Sequence, residues 1–374
     1  MRALFKSFLV PAACSFLLFL CKPAGEKKDI IRTKSYETFL SQDFRDSLTF
    51  IVTGDMQIDR NDSLETSMRP VMAMNQVEKT YGKTDNGFFI EGRWPVKTVR
   101  DSATGFKQKK IRKPSFVIIT GDLTNNSADE ELERFAQLYG QWPQAQKNSL
   151  VYPVFAGLGN HDIYNVAPYQ YLDKVYRRIK HSNFNYQVET RNYSFTVGNY
   201  HFIQMNVFSG YHASKDYTWL KKELASNLSK EVFLVQHYGF DDFSLCKDSA
   251  WGVPEPDQAP GKCRWYKEKH LKKLISILAV YPVKAIFTGH WHLSGHCQLA
   301  AGKNKVPVFT AGGARDSDDF LLISVSTSSF QVSAIRFMGS SDNTKVYFDE
   351  FSMGSFAYDS DPRCKFVSTK PYHK

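Results

Sequence analysis

The chain has 374 residues, and its 48 lysines and arginines against 38 aspartates and glutamates give a formal net charge of +10 with histidine neutral. Hydrophobic residues make up 42% of the chain, aromatic residues 14% and charged residues 23%, which is the composition of a globular protein. These values exclude collagen-like, low-complexity and largely disordered proteins. The single long apolar run, at the N-terminus, excludes a polytopic membrane protein.

The N-terminus has the pattern of a signal peptide. Two basic residues precede a nearly uninterrupted apolar run at residues 7–20, and a charged stretch follows the run. The run is short for a membrane span and contains Pro11, which disfavours a transmembrane anchor. We therefore predict a signal peptide over residues 1–21 and an extracytoplasmic protein that is secreted, periplasmic or lipid-anchored. Cys21 stands where a bacterial lipoprotein carries its lipid, so membrane attachment through Cys21 and plain secretion with cleavage near Ala24 both stay open.

Short β-branched and aromatic runs alternate with longer amphipathic stretches along the rest of the chain. The strand candidates are Leu48–Thr53, Phe116–Thr120, Tyr152–Ala156, Tyr193–Val197, His201–Asn206, Val232–Gln236, Val283–Thr288, Val306–Thr310, Phe320–Ser326 and Phe330–Phe337. The helix candidates are Asp129–Gln141, Pro168–Lys180, Asp216–Asn227 and Tyr266–Tyr281. Strands with helices between them favour an α/β sandwich. We predict one domain over residues 30–374.

Two long connections interrupt this alternation. Residues 59–114 and residues 241–265 contain few strand or helix signals, so we predict loop insertions at both places. The first insertion ends in the basic tract Lys107–Pro114, with the sequence KQKKIRKP. Such a tract is either a solvated basic loop or a surface for an anion, such as a phosphorylated substrate or an anionic lipid. It has no interleaved aromatic residue, so we expect no nucleic-acid partner.

Four cysteines follow the signal region, and no two of them form a Cys-x-x-Cys pair. This spacing suggests neither a zinc ribbon nor a redox motif. In an oxidising compartment, Cys246, Cys263, Cys297 and Cys364 can form two disulfides. Cys246 and Cys263 flank a proline-rich loop and are the pair that we expect first. Four free buried thiols are the alternative.

Five strand candidates are followed at once by side chains that bind metals. The motifs are Gly-Asp-x-Gln with Asp55 and Gln57, Gly-Asp-x-x-Asn with Asp122 and Asn125, Gly-Asn-His-Asp with Asn160, His161 and Asp162, Gln-His with His237, and Gly-His-x-His with His290 and His292. In α/β sheets, ligands gather beyond the carboxyl ends of the strands, so these groups point to one site. Carboxylates with imidazoles suit Mn, Fe or Zn better than Ca, and the set is large enough for two divalent cations.

The series of motifs from Asp55 to His292 resembles the calcineurin-like metallophosphoesterase superfamily. The resemblance implies a four-layer α/β/β/α sandwich, in which two mixed β-sheets are flanked by helices, and a dinuclear centre of Mn, Fe or Zn. It also implies hydrolysis of a phosphate ester by in-line attack of a metal-bridging hydroxide. The expected substrate is a phosphorylated small molecule or lipid. We expect a phosphomonoester ahead of a phosphodiester of the lipid head-group, glycerophosphodiester or nucleotide type.

The resemblance further implies a role for each motif residue. The first metal would take Asp55, Gln57, Asp122 and His292. The second would take Asp122, Asn160, His237 and His290, with Asp122 bridging the two. His161 would contact the substrate phosphate and protonate the leaving group, and Asp162 would orient His161.

Three residues are predicted to bind the substrate, and one ligand departs from the family pattern. Asn125 belongs to the second motif, whereas Tyr238 and Trp251 lie in or beside the second insertion, where loop packing is the alternative. Gln57 stands where the family usually has histidine. An amide oxygen is a weaker ligand than imidazole and shifts the preference towards Mn or Fe. Gln57 therefore leaves open a catalytically weak, metal-binding surface protein on the same fold.

Overall fold

A computed structural model describes residues 24–44, 46–83, 89–94, 100–101, 109–206, 214–239, 268–292, 294–315, 317–348, 354–358 and 364–367. The predicted signal peptide with Cys21, the second insertion with Trp251, and the predicted Cys246–Cys263 pair lie outside these residues. In the described part of the chain, no helix combines the length and the apolar composition of a membrane span.

Six helices and eighteen strands make up the described structure. The helices are α1 (Ala24–Leu40), α2 (Leu64–Asn75), α3 (Asp129–Tyr139), α4 (Ala167–Tyr176), α5 (Ser214–Ser226) and α6 (Glu268–Val280). The strands are β1 (Ser47–Thr53), β2 (Tyr81–Lys83), β3 (Phe89–Glu91), β4 (Arg100–Asp101), β5 (Val117–Ile119), β6 (Val154–Ala156), β7 (Phe184–Tyr186), β8 (Tyr193–Val197), β9 (Tyr200–Met205), β10 (Glu231–Gln236), β11 (Ala285–Thr288), β12 (Gly295–Ala301), β13 (Asn304–Thr310), β14 (Asp319–Ser326), β15 (Phe330–Met338), β16 (Lys345–Phe348), β17 (Gly354–Tyr358) and β18 (Cys364–Val367).

The strands form two mixed sheets of nine described strands each. The first sheet has the order β3-β2-β16-β15-β14-β1-β5-β6, with β4 paired to β15. The second has the order β18-β17-β12-β13-β11-β10-β9-β8-β7. Strands β1, β5 and β6 run parallel to one another in the first sheet, as do β9, β10, β11 and β13 in the second. Each sheet thus gathers several strand carboxyl ends at one edge.

Phenylalanine rings fill the space between the two sheets. The ring of Phe50 on β1 lies 5.2 Å from that of Phe202 on β9 and 5.8 Å from that of Phe233 on β10, measured between centroids. Because side chains alternate across a strand, the neighbouring Ile203 and Leu234 point away from the first sheet. These two residues join the cluster that α5 and α6 form on the outer face of the second sheet.

Helices also pack on the first sheet, and they complete the fourth layer. Val71 of α2, Leu138 of α3 and Leu172 of α4 are fully or almost fully buried in the same core as the strands of this sheet. The predicted four-layer α/β/β/α sandwich is therefore confirmed. Every strand and helix candidate of the sequence corresponds to an element of the same type, with ends that differ by a few residues.

The sequence missed several elements, of which α1 and α2 are the longest. Among the residues of helix α1 whose burial is described, Tyr36, Phe39 and Leu40 join the buried core, so the helical spacing of apolar residues is confined to the last turns and is too short to predict the helix. Helix α2 lies inside residues 59–114, so that segment is not a continuous loop insertion. Its N-terminal cap is Ser63, whose side chain accepts a hydrogen bond from the Thr66 amide at 3.1 Å.

Candidate metal centre

The five polar motifs meet at one edge of the sandwich because each follows a strand that ends there. Asp55, Asp122 and Asn160 follow the adjacent parallel strands β1, β5 and β6 of the first sheet. His237 and His290 follow the adjacent parallel strands β10 and β11 of the second sheet. The Gly289 amide donates a hydrogen bond to the carbonyl of His237, and the His290 amide donates to both carboxylate oxygens of Asp55, at 3.0 and 2.9 Å. The last contact ties the two sheets together at the site.

Two groups of potential metal ligands share one carboxylate. The ligand atoms of Asp122, His237 and His290 all lie within 4.8 Å of one another, and the same holds for Asp55, Asp122 and His292. Asp122 belongs to both groups. His237 Nε2 lies 3.4 Å from Asp122 Oδ2, and His292 Nε2 lies 3.4 Å from Asp55 Oδ1. A shared carboxylate between two clusters is the arrangement that a bridged pair of cations needs.

The two amide residues of the predicted ligand set complete the two groups. Asn160 Oδ1 lies 2.9 Å from His237 Nε2. The Gln57 amide nitrogen lies 3.2 Å from His292 Nε2 and 3.3 Å from Asp122 Oδ2. A half-turn of this side-chain amide exchanges its nitrogen for its oxygen, which is the atom that binds a cation. All seven residues that the sequence assigned to the metals therefore lie at this one site.

Burial and charge suit this cluster to divalent cations. Asp55 and Asp122 are fully buried, and buried carboxylates need positive partners. Burial opposes ionisation of Asp122, yet the neighbouring His237 and other imidazoles hold the pKa of its carboxyl well below the usual value. Burial, followed by the charge of His237, lowers the pKa of His290 well below its usual value. His290 is therefore neutral, the form in which imidazole binds a metal. The donor set and its surroundings fit a pair of divalent cations.

The backbone at the ligands is held in a conformation that most residues avoid. Asp55, Gln57, Asp122, His290 and His292 have positive φ angles between 37° and 75°, and they are five of the eight non-glycine residues of this kind in the described chain. Such a conformation costs about 1–3 kcal/mol per residue and persists only where the surrounding structure enforces it. In an extended strand His290 and His292 would point to the same face, whereas the tight turns here let each of them join a different ligand group.

Two glycines in the motifs are required by close approach. A methyl group on Gly159 would collide with Asp122 Oδ1 and would lie 2.7 Å from His237 Cε1. A methyl group on Gly289 would collide with the hydroxyl of Thr120 and would lie 2.7 Å from Asp55 Oδ2. Each glycine thus leaves room for a predicted ligand that comes from another strand.

His161 lies beside the cluster with one ring nitrogen fixed. Its Nδ1 lies 2.7 Å from the carbonyl oxygen of Asn125. Because a carbonyl only accepts, Nδ1 carries the proton and donates it. The His161 amide donates to Asp122 Oδ1 at 2.9 Å, which places the residue next to the shared carboxylate. The opposite ring nitrogen, Nε2, is left as the atom that can exchange a proton with a substrate.

Asp162 has a role different from the predicted one. Its carboxylate accepts hydrogen bonds from the amides of Gly159, Leu123 and Thr124 at 2.9, 3.0 and 3.1 Å, and from the Thr124 hydroxyl at 3.0 Å. The backbone of Asn125, and not Asp162, orients the His161 ring in the described contacts. Burial, followed by the charge of Asp122, raises the pKa of Asp162 to about 7, and the three amides act in the opposite direction. Asp162 therefore joins the loop after β5 to the loop after β6.

The predicted substrate-binding residues occupy three different environments. The side-chain amide of Asn125 is half-buried and donates to Asp59 Oδ2 at 2.7 Å. Tyr238 is buried, and its ring packs edge-on against that of His290 at 4.9 Å between centroids. Tyr238 therefore supports the histidines from behind, which matches the packing alternative for this residue. Trp251 lies outside the described residues and stays a prediction.

Arg315 is a site residue that the sequence did not reveal. It follows β13, which is parallel to β11 and ends at the same edge. Its guanidinium donates to the Gln57 carbonyl and to Asp62 Oδ1, both at 3.1 Å. In the sequence, Arg315 could be noticed only because it follows a strand candidate. A single arginine in a glycine-rich loop belongs to no motif that would mark it as a site residue. Arg315 brings a positive charge next to the ligand group of Asp55, Asp122 and His292.

Metal removal is expected to destabilise the protein and metal addition to restore it. A cation at 100 times its dissociation constant adds about 2.7 kcal/mol to the free energy of unfolding, or about 3–4 °C in melting temperature for a chain of 374 residues. The shift is measured by melting curves of the chelator-treated protein with and without Mn²⁺. Elemental analysis of the reloaded protein is expected to give two metals per chain. Ca²⁺ is the control, because it prefers an all-oxygen site. An equal shift with Ca²⁺, or no bound metal, would contradict the assignment.

Comparison with known proteins gives one extended sequence match and several structural ones. The calcineurin-like phosphoesterase family matches residues 48–294. Purple acid phosphatase PPD1 from yellow lupin (Lupinus luteus) seeds has a TM-score of 0.48 at 13% identity, over 81% of this chain and 54% of that chain. GAP50, the anchor in the inner membrane complex of Plasmodium, has a TM-score of 0.44 at 13% identity, over 82% of this chain and 90% of that chain.

A third structure, NAD nucleotidase (NadN) from Haemophilus influenzae, has a TM-score of 0.37 at 13% identity, over 87% of this chain and 54% of that chain. The chain spans about half the length of the lupin phosphatase and of the nucleotidase. No curated protein sequence matches the chain.

Proposed function

The chain belongs to the calcineurin-like phosphoesterase family, whose members are metal-dependent phosphoester hydrolases, and on this premise we propose that it hydrolyses phosphomonoesters. The observation that carries the proposal is the pair of ligand groups that share Asp122. With both metals bound, the centre would supply a water of lowered pKa and positive charge against the phosphate oxygens. The protein residues then have to bind the ester, keep its orientation and transfer one proton to the leaving group.

In this proposal, His161 is the residue that donates the proton to the leaving group. Its Nδ1–H is held by the Asn125 carbonyl at 2.7 Å, so when the ring is an imidazolium, Nε2 is the atom that gives its proton to the departing oxygen and the neutral ring remains. The amide of His161 is bound to Asp122, and its carbonyl accepts from the Ser127 hydroxyl at 2.7 Å. The main chain of His161 is thus fixed on both sides, which keeps the ring in one place relative to the metal ligands.

Charge at the rim supports a monoester ahead of a diester. A phosphomonoester carries up to two negative charges, whereas a phosphodiester carries one. The guanidinium of Arg315 lies against the Gln57 carbonyl and adds a cation to those that the centre would hold. Its pairing with Asp62 is half-exposed, so the Arg315 charge is only partly neutralised.

The test is a side-by-side assay of a chromogenic phosphomonoester and the matching diester, with metal-free protein reloaded with Mn²⁺. We expect the monoester to be cleaved faster. Faster cleavage of the diester would reverse the preference but keep the reaction class. Two bound metals without turnover of either ester would instead favour a metal-binding surface protein, the alternative that Gln57 suggests.

We further propose that the protein acts outside the cytoplasm. The support is the sequence alone, namely the basic start, the apolar run at residues 7–20 and the position of Cys21. Mass spectrometry of the N-terminus of the protein from its native cells would test this. A first residue near position 21 or 25, with or without a lipid on Cys21, is the expected result, and an intact Met1 would contradict it.

A further inference from the structure

A second polar cavity lies at the end of the first sheet opposite the metal centre. It measures about 210 Å³, and its lining includes Lys109, Lys110 and Arg112 from the basic tract and Ser324, Ser326 and Ser329 from strand β14 and the turn after it. A cavity of this size is much larger than one water molecule needs and has room for a tetrahedral oxyanion with part of its hydration.

The floor of this cavity is an unusually polar part of the sheet. Ser324 on β14 lies opposite Thr49 on β1 and Gln331 on β15, so the three side chains share the outer face of the sheet. Thr49 and Ser324 are hydrogen-bonded through their hydroxyls at 2.7 Å. Gln331 is 1% exposed, and among the described residues neither atom of its amide has a hydrogen-bond partner. Gln331 is not among the residues that line the cavity, so it makes the sheet behind Ser324 polar without facing the cavity itself.

The wall of the cavity is positively charged. Lys109, Lys110 and Arg112 are exposed, and in the described part of the chain none of them has a carboxylate within 4.0 Å. Arg112 contacts the Ser47 hydroxyl at the start of β1, which directs its guanidinium along the sheet. Asp46 is the one acidic residue of the lining, so three positive charges and one negative charge leave a net charge of +2.

Distance separates this cavity from the proposed catalytic centre. Ser47 lines the cavity, and Asp55, eight residues further along β1 and its following turn, belongs to the metal ligands. A strand rises about 3.3 Å per residue, so the six steps from Ser47 to the end of β1 at Thr53 separate the two sites by about 20 Å. A phosphate group in the cavity could therefore not be the one that the metal centre holds.

We propose that this cavity is a second, non-catalytic binding site for a phosphate group. The guanidinium and the two ammonium groups supply the charge, and the serine hydroxyls of the lining supply further hydrogen-bond donors. This assignment gives the basic tract a ligand of defined chemistry. The phosphate can come from a soluble phosphorylated metabolite or from a phospholipid head group, and both present the same terminal oxyanion.

The test is calorimetric titration of the full chain with inorganic phosphate in the presence of a chelator, so that the metal centre does not bind the ion. One phosphate per chain is expected. The double variant Lys110→Gln/Arg112→Gln should bind it at least about tenfold more weakly, as expected for the loss of charge-assisted hydrogen bonds. Lys113→Gln is the matched control, because Lys113 belongs to the same tract but lies over the Tyr152 ring, 5.8 Å from its centroid.

Each result of the titrations supports or contradicts the proposed phosphate site. Weaker binding in the double variant, with unchanged binding in Lys113→Gln and in Asp122→Asn, supports the proposal. Equal weakening in the double variant and the control would overturn it, because general surface charge would then be the cause. Titration with a soluble inositol phosphate and with vesicles of anionic phospholipid separates the two sources. Vesicle binding that is as tight in the double variant as in the wild-type protein would also overturn the proposal, since binding to a flat charged surface needs no cavity.

Discussion

Replacement of Asp122 by asparagine is expected to lower turnover of any phosphoester by at least about 100-fold, because Asp122 is the only residue in both ligand groups. The substitution keeps the size of the side chain and removes its charge. His237 and the backbone amide of His161 would keep a hydrogen-bonding partner, so the fold should survive. Elemental analysis should show loss of at least one metal, and steady-state kinetics should show the loss in kcat.

The matched control is Asp173→Asn, which removes a carboxylate from helix α4. Asp173 pairs with Arg191 at 3.2 Å and accepts a hydrogen bond from the Tyr186 hydroxyl, and it is not among the metal ligands. This variant should keep its two metals and its turnover. Wild-type activity in the purified Asp122→Asn protein would show that the shared carboxylate is not required. That result would contradict the assignment of a dimetal centre.

The motif residues could be predicted from the sequence because each follows a strand that is itself easy to predict. Strand β1 is a run of buried β-branched and aromatic residues, and Asp55 follows its end directly. The same holds for Asp122 after β5 and His237 after β10. If these strands are parallel neighbours, their carboxyl ends lie at the same edge of the sheet. The residues that follow them can therefore be assigned to one site without any measured distance.

What the sequence could not show is how each side chain is held. The role of Asp162 depends on three amides from two loops, and amides have no sequence signature. Arg315 is brought to the site only through the pairing of β13 with β11. The buried position of Tyr238 likewise depends on its packing against His290, so an aromatic residue beside a loop was equally consistent with a pocket wall.

The strained backbone at the metal ligands has to be stabilised by the rest of the fold. Five ligands have positive φ angles, and the local cost must be offset by packing elsewhere in the sandwich. The phenylalanine layer between the sheets contributes to this packing, since burial of each such side chain stabilises the fold by about 1.5–3 kcal/mol. A rigid, well-packed sandwich thus holds a centre whose own backbone is unfavourable.

Replacement of His161 by glutamine is expected to lower kcat for an alkyl phosphomonoester by about 100-fold or more while both metals stay bound. Glutamine cannot transfer a proton, and His161 is not among the grouped metal ligands. An aryl ester such as nitrophenyl phosphate should lose less, because its leaving group is stable as an anion and needs little protonation. Kinetics on the two esters, with elemental analysis of each protein, measure the difference.

Asn125→Ala separates proton transfer from positioning. The substitution removes the side chain that donates to Asp59 but keeps the backbone carbonyl that accepts from His161. If the Asn125 side chain binds the substrate, its loss should affect the alkyl and aryl esters equally. A larger effect on the alkyl ester in His161→Gln alone would identify His161 as the proton donor. Equal losses on both esters in His161→Gln would contradict that role, because a group that only holds the phosphate has no reason to distinguish leaving groups.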